Sequence, residues 1–135
     1  MSSHYLDPLN EEEIRIANRV IRESKLVGSK YGIAAMFLFE SDKGLYRNSG
    51  QDSLPRIARA MVINRETGET FDVHVNLREE SIQSCEKPLV GQAPMLIDEF
   101  ESLGDLVKSN QKWIDAMRER GITDTSHLQI DPWAV

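Results

Sequence analysis

The chain opens, after a short polar segment, on apolar residues with helical spacing. Four of them fall on one face of a helix: Ile14, Ala17, Val20 and Ile21. Asn10 precedes them and is followed three residues later by Glu13, the pattern of a capping box. We therefore predict an amphipathic helix that begins after Asn10 and ends between residues 24 and 28.

The next segments have the spacing of β-strands. Residues 31–40 are apolar at nearly every position, which predicts a strand that is central or covered. Residues 41–53 are rich in Gly, Ser, Asn and Asp and predict a long loop. Residues 55–77 hold two alternating runs around a turn at Gly68, which predicts an antiparallel hairpin. A weaker fourth strand is predicted before Pro88.

Helical spacing returns in the last third of the chain. Its apolar positions are Leu96, Phe100, Leu103 and Val107. A second short helix is predicted between Asn110 as N-cap and Gly121 as C′ residue. Alternation in residues 128–130 predicts a final strand. The predicted fold is α+β: one helix on a four-stranded antiparallel sheet in residues 1–90, then two helices and a short strand in residues 91–135.

Composition narrows the classes of function. The net charge of −6 and the pI of about 5.1 argue against nucleic-acid binding, which requires clustered Lys and Arg. No apolar stretch approaches the roughly 18 residues of a membrane span. The N-terminus has neither the basic start nor the apolar stretch of a signal peptide. With Cys85 as the single cysteine, a reducing compartment, and so the cytoplasm, is slightly favoured.

The residue types that usually carry chemistry are scattered. His4, His74 and His127 lack the spacing of a metal site, so solvated or hydrogen-bonded histidines are expected. Cys85 has no adjacent histidine or basic pair and is predicted to be a half-buried structural thiol. The sequence contains no Gly-rich phosphate loop and no Gly-x-Ser-x-Gly elbow. We assign no catalytic, cofactor-binding or metal-ligating residue.

Charged residues within the predicted strands receive structural interpretations first. Arg56 and Arg59 are predicted to lie on an exposed sheet face or to protect a strand edge. Residues 78–80 are predicted to be a solvated strand edge. Asp72 and His74 are two residues apart on a strand, so they share a face and are the local candidate for an acid–base pair. That face is predicted to be solvated.

Several phrases together resemble the N-terminal region of copper amine oxidases. They are His4 with residues 6–14, Arg56, Thr67-Gly68, residues 75–77, residues 91–94, Ala116, residues 120–122 and residues 131–133. Two departures are Tyr5, which stands where the family has a Pro-Leu pair, and one inserted Ala in residues 91–94. The resemblance covers nearly the whole chain and depends on the order of the phrases, since no single one is diagnostic.

The resemblance implies a cystatin-like second N-terminal domain in residues 1–90 and the opening of a third, N3-type domain in residues 91–135. It implies a catalytic β-sandwich as partner, a homodimer, and copper and topaquinone in a full-length parent that oxidises primary amines. No copper ligand or quinone-forming tyrosine carries over, because Tyr5, Tyr31 and Tyr46 lack the Asn-Tyr-Asp/Glu context. The expectation for this chain alone is therefore no cofactor and no oxidase activity.

Two other functions remain open. A free-standing cystatin-like module could bind a ligand, or it could dimerise by pairing of residues 128–130. In that case Phe100, Trp113 and Trp133 would close a small core of their own. A small acid–base enzyme would instead need Asp72 and His74 in a pocket.

Overall fold

A computed structural model describes residues 6–40 and 54–133. The chain divides into two compact units, Met1–Ala93 and Pro94–Val135. The predicted loop at residues 41–53 lies outside the described residues, as do His4, Tyr5 and Tyr46. The assignment of residues 91–135 to an N3-type domain stays a prediction.

The first unit begins with helix α1, Glu11–Ser24, as the apolar spacing predicted. The Asn10 side chain accepts a hydrogen bond from the Glu13 N–H, and the Glu13 carboxylate accepts one from the Asn10 N–H, each at 2.9 Å. The helix ends where Lys25 adopts the left-handed conformation, with φ of 57°. Local sequence therefore sets both ends of α1.

Four antiparallel strands follow in the order β1-β2-β3-β4. They are β1 Tyr31–Phe39, β2 Ile57–Asn64, β3 Thr70–Asn76 and β4 Ser81–Glu86. Among the strands in residues 6–40 and 54–133, β1 lies at one edge of the sheet, so the first of the two predicted alternatives, a central position, was wrong. Its side chains are mostly half buried. An apolar strand shows that its faces are partly buried, but it does not show where the strand lies in the sheet.

The core lies between α1 and one face of the sheet. α1 contributes Ala17, Val20 and Ile21. The strands contribute alternate residues of β2 and β3: Ala58, Ala60, Val62, Phe71, Val73 and Val75. This alternation places the intervening residues of both strands on the opposite face.

Asparagines at strand ends shape the β2–β3 and β3–β4 turns. Asn64 Oδ1 accepts hydrogen bonds from the N–H groups of Glu66 and Thr67, at 2.8 and 3.1 Å. Asn76 Oδ1 accepts from Arg78 and Glu79 in the same way, each at 3.1 Å. Residues 78–80 are therefore a turn between β3 and β4 and not the strand edge that was predicted. Asparagine favours such turns because its short side chain can replace a backbone acceptor.

The second unit contains helix α2, Ile97–Lys108, and helix α3, Gln111–Glu119. Asn110 caps α3 by accepting from the Lys112 and Trp113 N–H groups, and Gly121 has φ of 79°, as predicted for a C′ residue. Neither helix has a buried residue. Together with the first unit, this confirms the predicted helix on a four-stranded sheet followed by two helices.

The predicted final strand is absent: residues 128–130 have no regular secondary structure. Alternation alone does not make a strand, because a strand's backbone groups need a neighbouring strand as partner. The second unit offers no strand to residues 128–130 within its described part. No helix in the described part of the chain is long and apolar enough to cross a membrane.

Candidate functional site on the open face of the sheet

The sheet face that α1 does not cover carries a cluster of aromatic and charged side chains. We call it the open-face cluster, and its members are Phe37, Phe39, Arg59, Asp72 and His74. Cross-strand register aligns Phe37 with Arg59, and Arg59 with His74. Asp72 lies two residues before His74 on the same face of β3. Three neighbouring strands therefore bring these side chains together.

Arg59 and Asp72 form the electrostatic centre of the open-face cluster. Arg59 Nε lies 2.9 and 3.0 Å from the two carboxylate oxygens, and Nη2 lies 2.5 Å from Oδ2. The hydrogen bonds from Arg59 lower the pKa of Asp72, although its partial burial acts in the opposite direction. Asp72 is therefore kept ionised, and the Nε and Nη2 donors of Arg59 balance its negative charge.

His74 and the two phenylalanines complete the open-face cluster. His74 Nε2 lies 3.5 Å from Asp72 Oδ1, and the imidazole packs on the Phe39 ring with centroids 4.5 Å apart. The Arg59 guanidinium lies over the Phe37 ring, with Cζ 5.6 Å from its centroid, within the range of a cation–π contact. The sequence did not reveal this aromatic support, although the alternation of Phe37 and Phe39 along β1 was a usable signal.

The open-face cluster is less solvated than the sequence predicted. The side chains of Arg59, Asp72 and His74 are 33%, 27% and 21% exposed. Edge protection was also a wrong interpretation of Arg59, because β2 lies between β1 and β3. A carboxylate that is bound by Arg59 and has a lowered pKa is a weak proton acceptor. The arrangement is therefore better suited to restraining the side chains on this face of the sheet than to general acid–base chemistry.

A small cleft adjoins the ion pair. It has a volume of about 210 Å³ and is lined by Arg59, Met61, Asp72 and residues of the segment that follows β4. The Ala93 N–H donates to Thr70 Oγ1 at 3.3 Å and ties that segment to β3. Pockets for small molecules usually measure about 300–1,000 Å³. The cleft is below that range.

Arg56 serves a different purpose from Arg59. It lies just before β2 and pairs with Glu13 at the start of α1, and each side chain is 15% exposed. Arg56 Nη2 also donates to the carbonyl oxygens of Asp7 and Pro8, at 2.8 and 3.1 Å. The prediction of an exposed or edge-protecting Arg56 was therefore wrong, because α1 and the chain before it cover this arginine.

The remaining candidates do not join the open-face cluster. Cys85 is half buried, as predicted. It lies on the side of the sheet that packs against α1, and burial raises the pKa of its thiol. His127 is exposed in the second unit. The Tyr31 hydroxyl donates to Asn18 Oδ1 at 2.9 Å.

The fit of this chain to copper or a quinone cofactor can be tested on its own side chains. Among residues 6–40 and 54–133, no three His, Cys, Asp or Glu side chains converge in a way that could hold a metal ion. Tyr31 lies between Lys30 and Gly32, which is not the context of a quinone-forming tyrosine. The described residues therefore do not fit either group.

Comparison with known proteins gives a consistent set of relatives. The chain is 29% identical over 125 residues to histamine oxidase of Arthrobacter globiformis, which covers 90% of this chain and 18% of that protein. It is 27% identical over 134 residues to primary amine oxidase of Arthrobacter sp. (strain P1), covering 98% of this chain and 20% of that protein. It is 30% identical over 169 aligned residues to the peroxisomal copper-containing diamine oxidase 1 of Nicotiana tabacum, covering 98% of this chain and 21% of that protein.

The chain thus spans about a fifth of the length of the curated relatives it matches. A family model described as the AGAO-like N2 domain matches residues 10–85, which include α1 and nearly all of the four-stranded sheet. The chain therefore belongs to the AGAO-like N2 domain family, an N-terminal domain of copper amine oxidases.

Proposed function

We propose that this chain is the non-catalytic N-terminal region of a copper amine oxidase. The whole enzyme would oxidise primary amines to aldehydes and release ammonia and hydrogen peroxide, with copper and topaquinone held in a separate catalytic β-sandwich. The observation that carries the proposal is the match of residues 10–85 to the N2 domain, in a chain that covers only about a fifth of its relatives.

The chemistry of the open-face cluster supports a structural role for the chain. Arg59 balances the charge of Asp72, and His74 is packed against Phe39. These contacts restrain the side chains and leave the carboxylate as a poor base. In this proposal the first unit is a rigid body that docks on the catalytic β-sandwich and shapes access to it, while residues 91–135 begin the next domain.

The first test is to sequence the source gene beyond the codon for Val135. The proposal expects the reading frame to continue into an Asn-Tyr-Asp/Glu segment and a histidine cluster. A stop codon with no catalytic chain encoded nearby would overturn it. The second test measures hydrogen peroxide from the purified chain and from the whole gene product, each supplied with Cu²⁺ and a set of primary amines. Peroxide is expected from the whole product alone, and copper-dependent peroxide from the chain by itself would refute the non-catalytic role.

A binding or dimerisation module is the second candidate, and the second unit provides the observation that favours it. Four large apolar side chains there are 50–82% exposed: Ile97, Phe100, Leu106 and Trp133. The small core predicted around Phe100, Trp113 and Trp133 is not closed, since Trp133 is 82% exposed. Exposed apolar side chains of this size call for a covering partner. A stop codon after Val135, together with self-association through these residues, would favour this candidate.

A further inference from the structure

A cleft larger than the one beside Arg59 lies where α1 ends and β1 begins. It has a volume of about 350 Å³ and mainly apolar walls. We call it the α1-end cleft, and its lining residues are Arg22, Lys25, Gly28, Ser29 and Tyr31. The volume falls within the range of about 300–1,000 Å³ that is usual for small-molecule sites.

The α1-end cleft carries two cationic side chains that are not neutralised by an acidic partner. Within residues 6–40 and 54–133, neither Arg22 nor Lys25 forms an ion pair. Both side chains are exposed. This concentration of positive charge is notable in a chain whose net charge is −6. The cleft therefore attracts negatively charged molecules.

The acidic residues close to the cleft in sequence act on other cations. Glu66, in the β2–β3 turn, pairs with Lys30 at 3.3 Å. Glu23 belongs to the same helix turn as Arg22, but its charge raises the pKa of Arg19 instead. Neither carboxylate is therefore the partner of the two cations in the cleft.

Tyr31 provides a neutral, partly buried wall. Its hydroxyl donates to Asn18 Oδ1 at 2.9 Å, which fixes the position of the ring. Burial raises the pKa of Tyr31, while the nearby charge of Arg22 acts in the opposite direction. The phenol therefore stays protonated at neutral pH and leaves the charge of Arg22 available to a ligand.

The backbone at Lys25 gives a separate reason to assign its side chain a role. Lys25 has φ of 57°, the left-handed conformation in which helices most often end on Gly or Asn. A lysine in this conformation lowers the stability of the fold. The helix dipole explains why a cation such as Arg22 stands in the last turn, but it does not explain a lysine at a position that favours glycine.

We propose that the α1-end cleft binds a small organic anion, namely a carboxylate or phosphate monoester that carries an apolar group. Its anionic head would pair with Arg22 and Lys25, and the Ser29 hydroxyl would donate a hydrogen bond to it. Its apolar group would lie against the Tyr31 ring. A guanidinium suits this role because its planar fork binds carboxylate and phosphate oxygens in pairs. The proposal is independent of whether the chain is part of an oxidase.

Binding is tested by nuclear magnetic resonance titration of the isotope-labelled chain with phenyl phosphate and with phenylacetate. The amide signals of Gly28, Ser29 and Tyr31 should shift and saturate, with a Kd on the order of 1 mM because the ion pairs are exposed. The tighter of the two probes identifies the preferred head group. No saturable shift with either probe at about 10 mM would overturn the proposal.

Two further probes separate the contributions of charge and of the apolar group. Benzyl alcohol has the ring without the charge and should bind about tenfold more weakly than either anion. Inorganic phosphate has the charge without the ring and should bind more weakly than phenyl phosphate. Equal binding of benzyl alcohol would refute the role of the cations, and equal binding of inorganic phosphate would refute an organic ligand.

Variants of the two cations test the assignment of the site. Arg22→Gln should weaken binding about fivefold. Lys25→Gly should weaken it to a similar extent while keeping or raising the melting temperature, because glycine relieves the left-handed backbone. The loss of binding then cannot come from unfolding. Lys25→Arg keeps the charge and should keep the affinity.

Arg15→Gln is the matched control, because it removes the same charge from an exposed position of α1 outside the cleft. It should leave the affinity unchanged. A loss as large as that of Arg22→Gln would show that the probes respond only to the overall charge of the helix, which would refute a site in the cleft. Unchanged binding by Lys25→Gly would refute it as well.

Discussion

Arg56 and Glu13 form an ion pair that joins the residue before β2 to the first turn of α1, with each side chain only 15% exposed. The same Glu13 carboxylate accepts the Asn10 N–H of the capping box. Burial raises the pKa of Glu13, but the hydrogen bonds from Arg56 and Asn10 outweigh it and the pKa is lowered overall. One carboxylate thus stabilises both the start of the helix and its packing on the sheet.

Removing Arg56 should therefore destabilise the fold strongly. Arg56→Ala leaves the Glu13 charge largely buried without its partner, and we expect a loss of about 3 kcal/mol in the free energy of unfolding. Urea denaturation followed by circular dichroism measures it. Arg15→Ala is the matched control, because Arg15 and Glu11 form an exposed pair on the same helix and should cost less than about 1 kcal/mol. Equal losses in the two variants would contradict the role of the Arg56–Glu13 pair.

Acid should weaken the Arg59–Asp72 pair. Arg59 lowers the pKa of Asp72 in the folded chain, so the unfolded chain binds a proton more readily. The stabilisation is therefore complete above the ordinary aspartate pKa of about 3.9 and is lost as the pH falls through the lowered folded value. Urea denaturation from pH 7 to pH 2 should show a gap in stability between wild type and Asp72→Asn that narrows below about pH 4. A gap independent of pH would mean that Asp72 does not gain its stability from charge.

Gly28 should be intolerant of any side chain. It has φ of 88°, and a Cβ there would lie 2.6 Å from Nδ2 of Asn64, the residue that holds the β2–β3 turn. We expect Gly28→Ala to cost about 2–3 kcal/mol, from backbone strain and displacement of the Asn64 side chain. Gly68→Ala is the control, since its φ is 74° but nothing lies within 4 Å of the new Cβ. That variant should cost about 1–2 kcal/mol, and thermal melts that rank the two in reverse order would exclude a close contact at Gly28.

Cys85 should react slowly while the chain is folded. Burial raises the pKa of its thiol and lowers the fraction of reactive thiolate. At pH 8 we expect a thiol reagent such as a nitrobenzoate disulfide to modify the folded chain about tenfold more slowly than the chain in urea. Cys85 is the single cysteine, so the absorbance change reports this one site. Similar rates in the two states would show that the thiol is not shielded.

Local interactions explain why so much of the fold was predictable from the amino-acid order. The capping box of Asn10 and Glu13, the Asn110 cap and the turn at Gly68 depend on hydrogen bonds or backbone freedom within a few residues. The alternation in β2 and β3 likewise identified the hairpin, since a strand directs successive side chains to opposite faces. Such features are determined before distant parts of the chain meet.

Features that join distant segments depended on the tertiary structure. Arg56 and Glu13 are 43 residues apart, and Arg59 and Asp72 meet only through cross-strand register. The position of β1 at the edge of the described strands, and the absence of a strand at residues 128–130, depend on which neighbours are available for pairing. The pattern of amino acids in a segment predicts which residues it can bury and where a helix can be capped. Packing of the sheet against α1 decides which segments become neighbours, and therefore which charges pair.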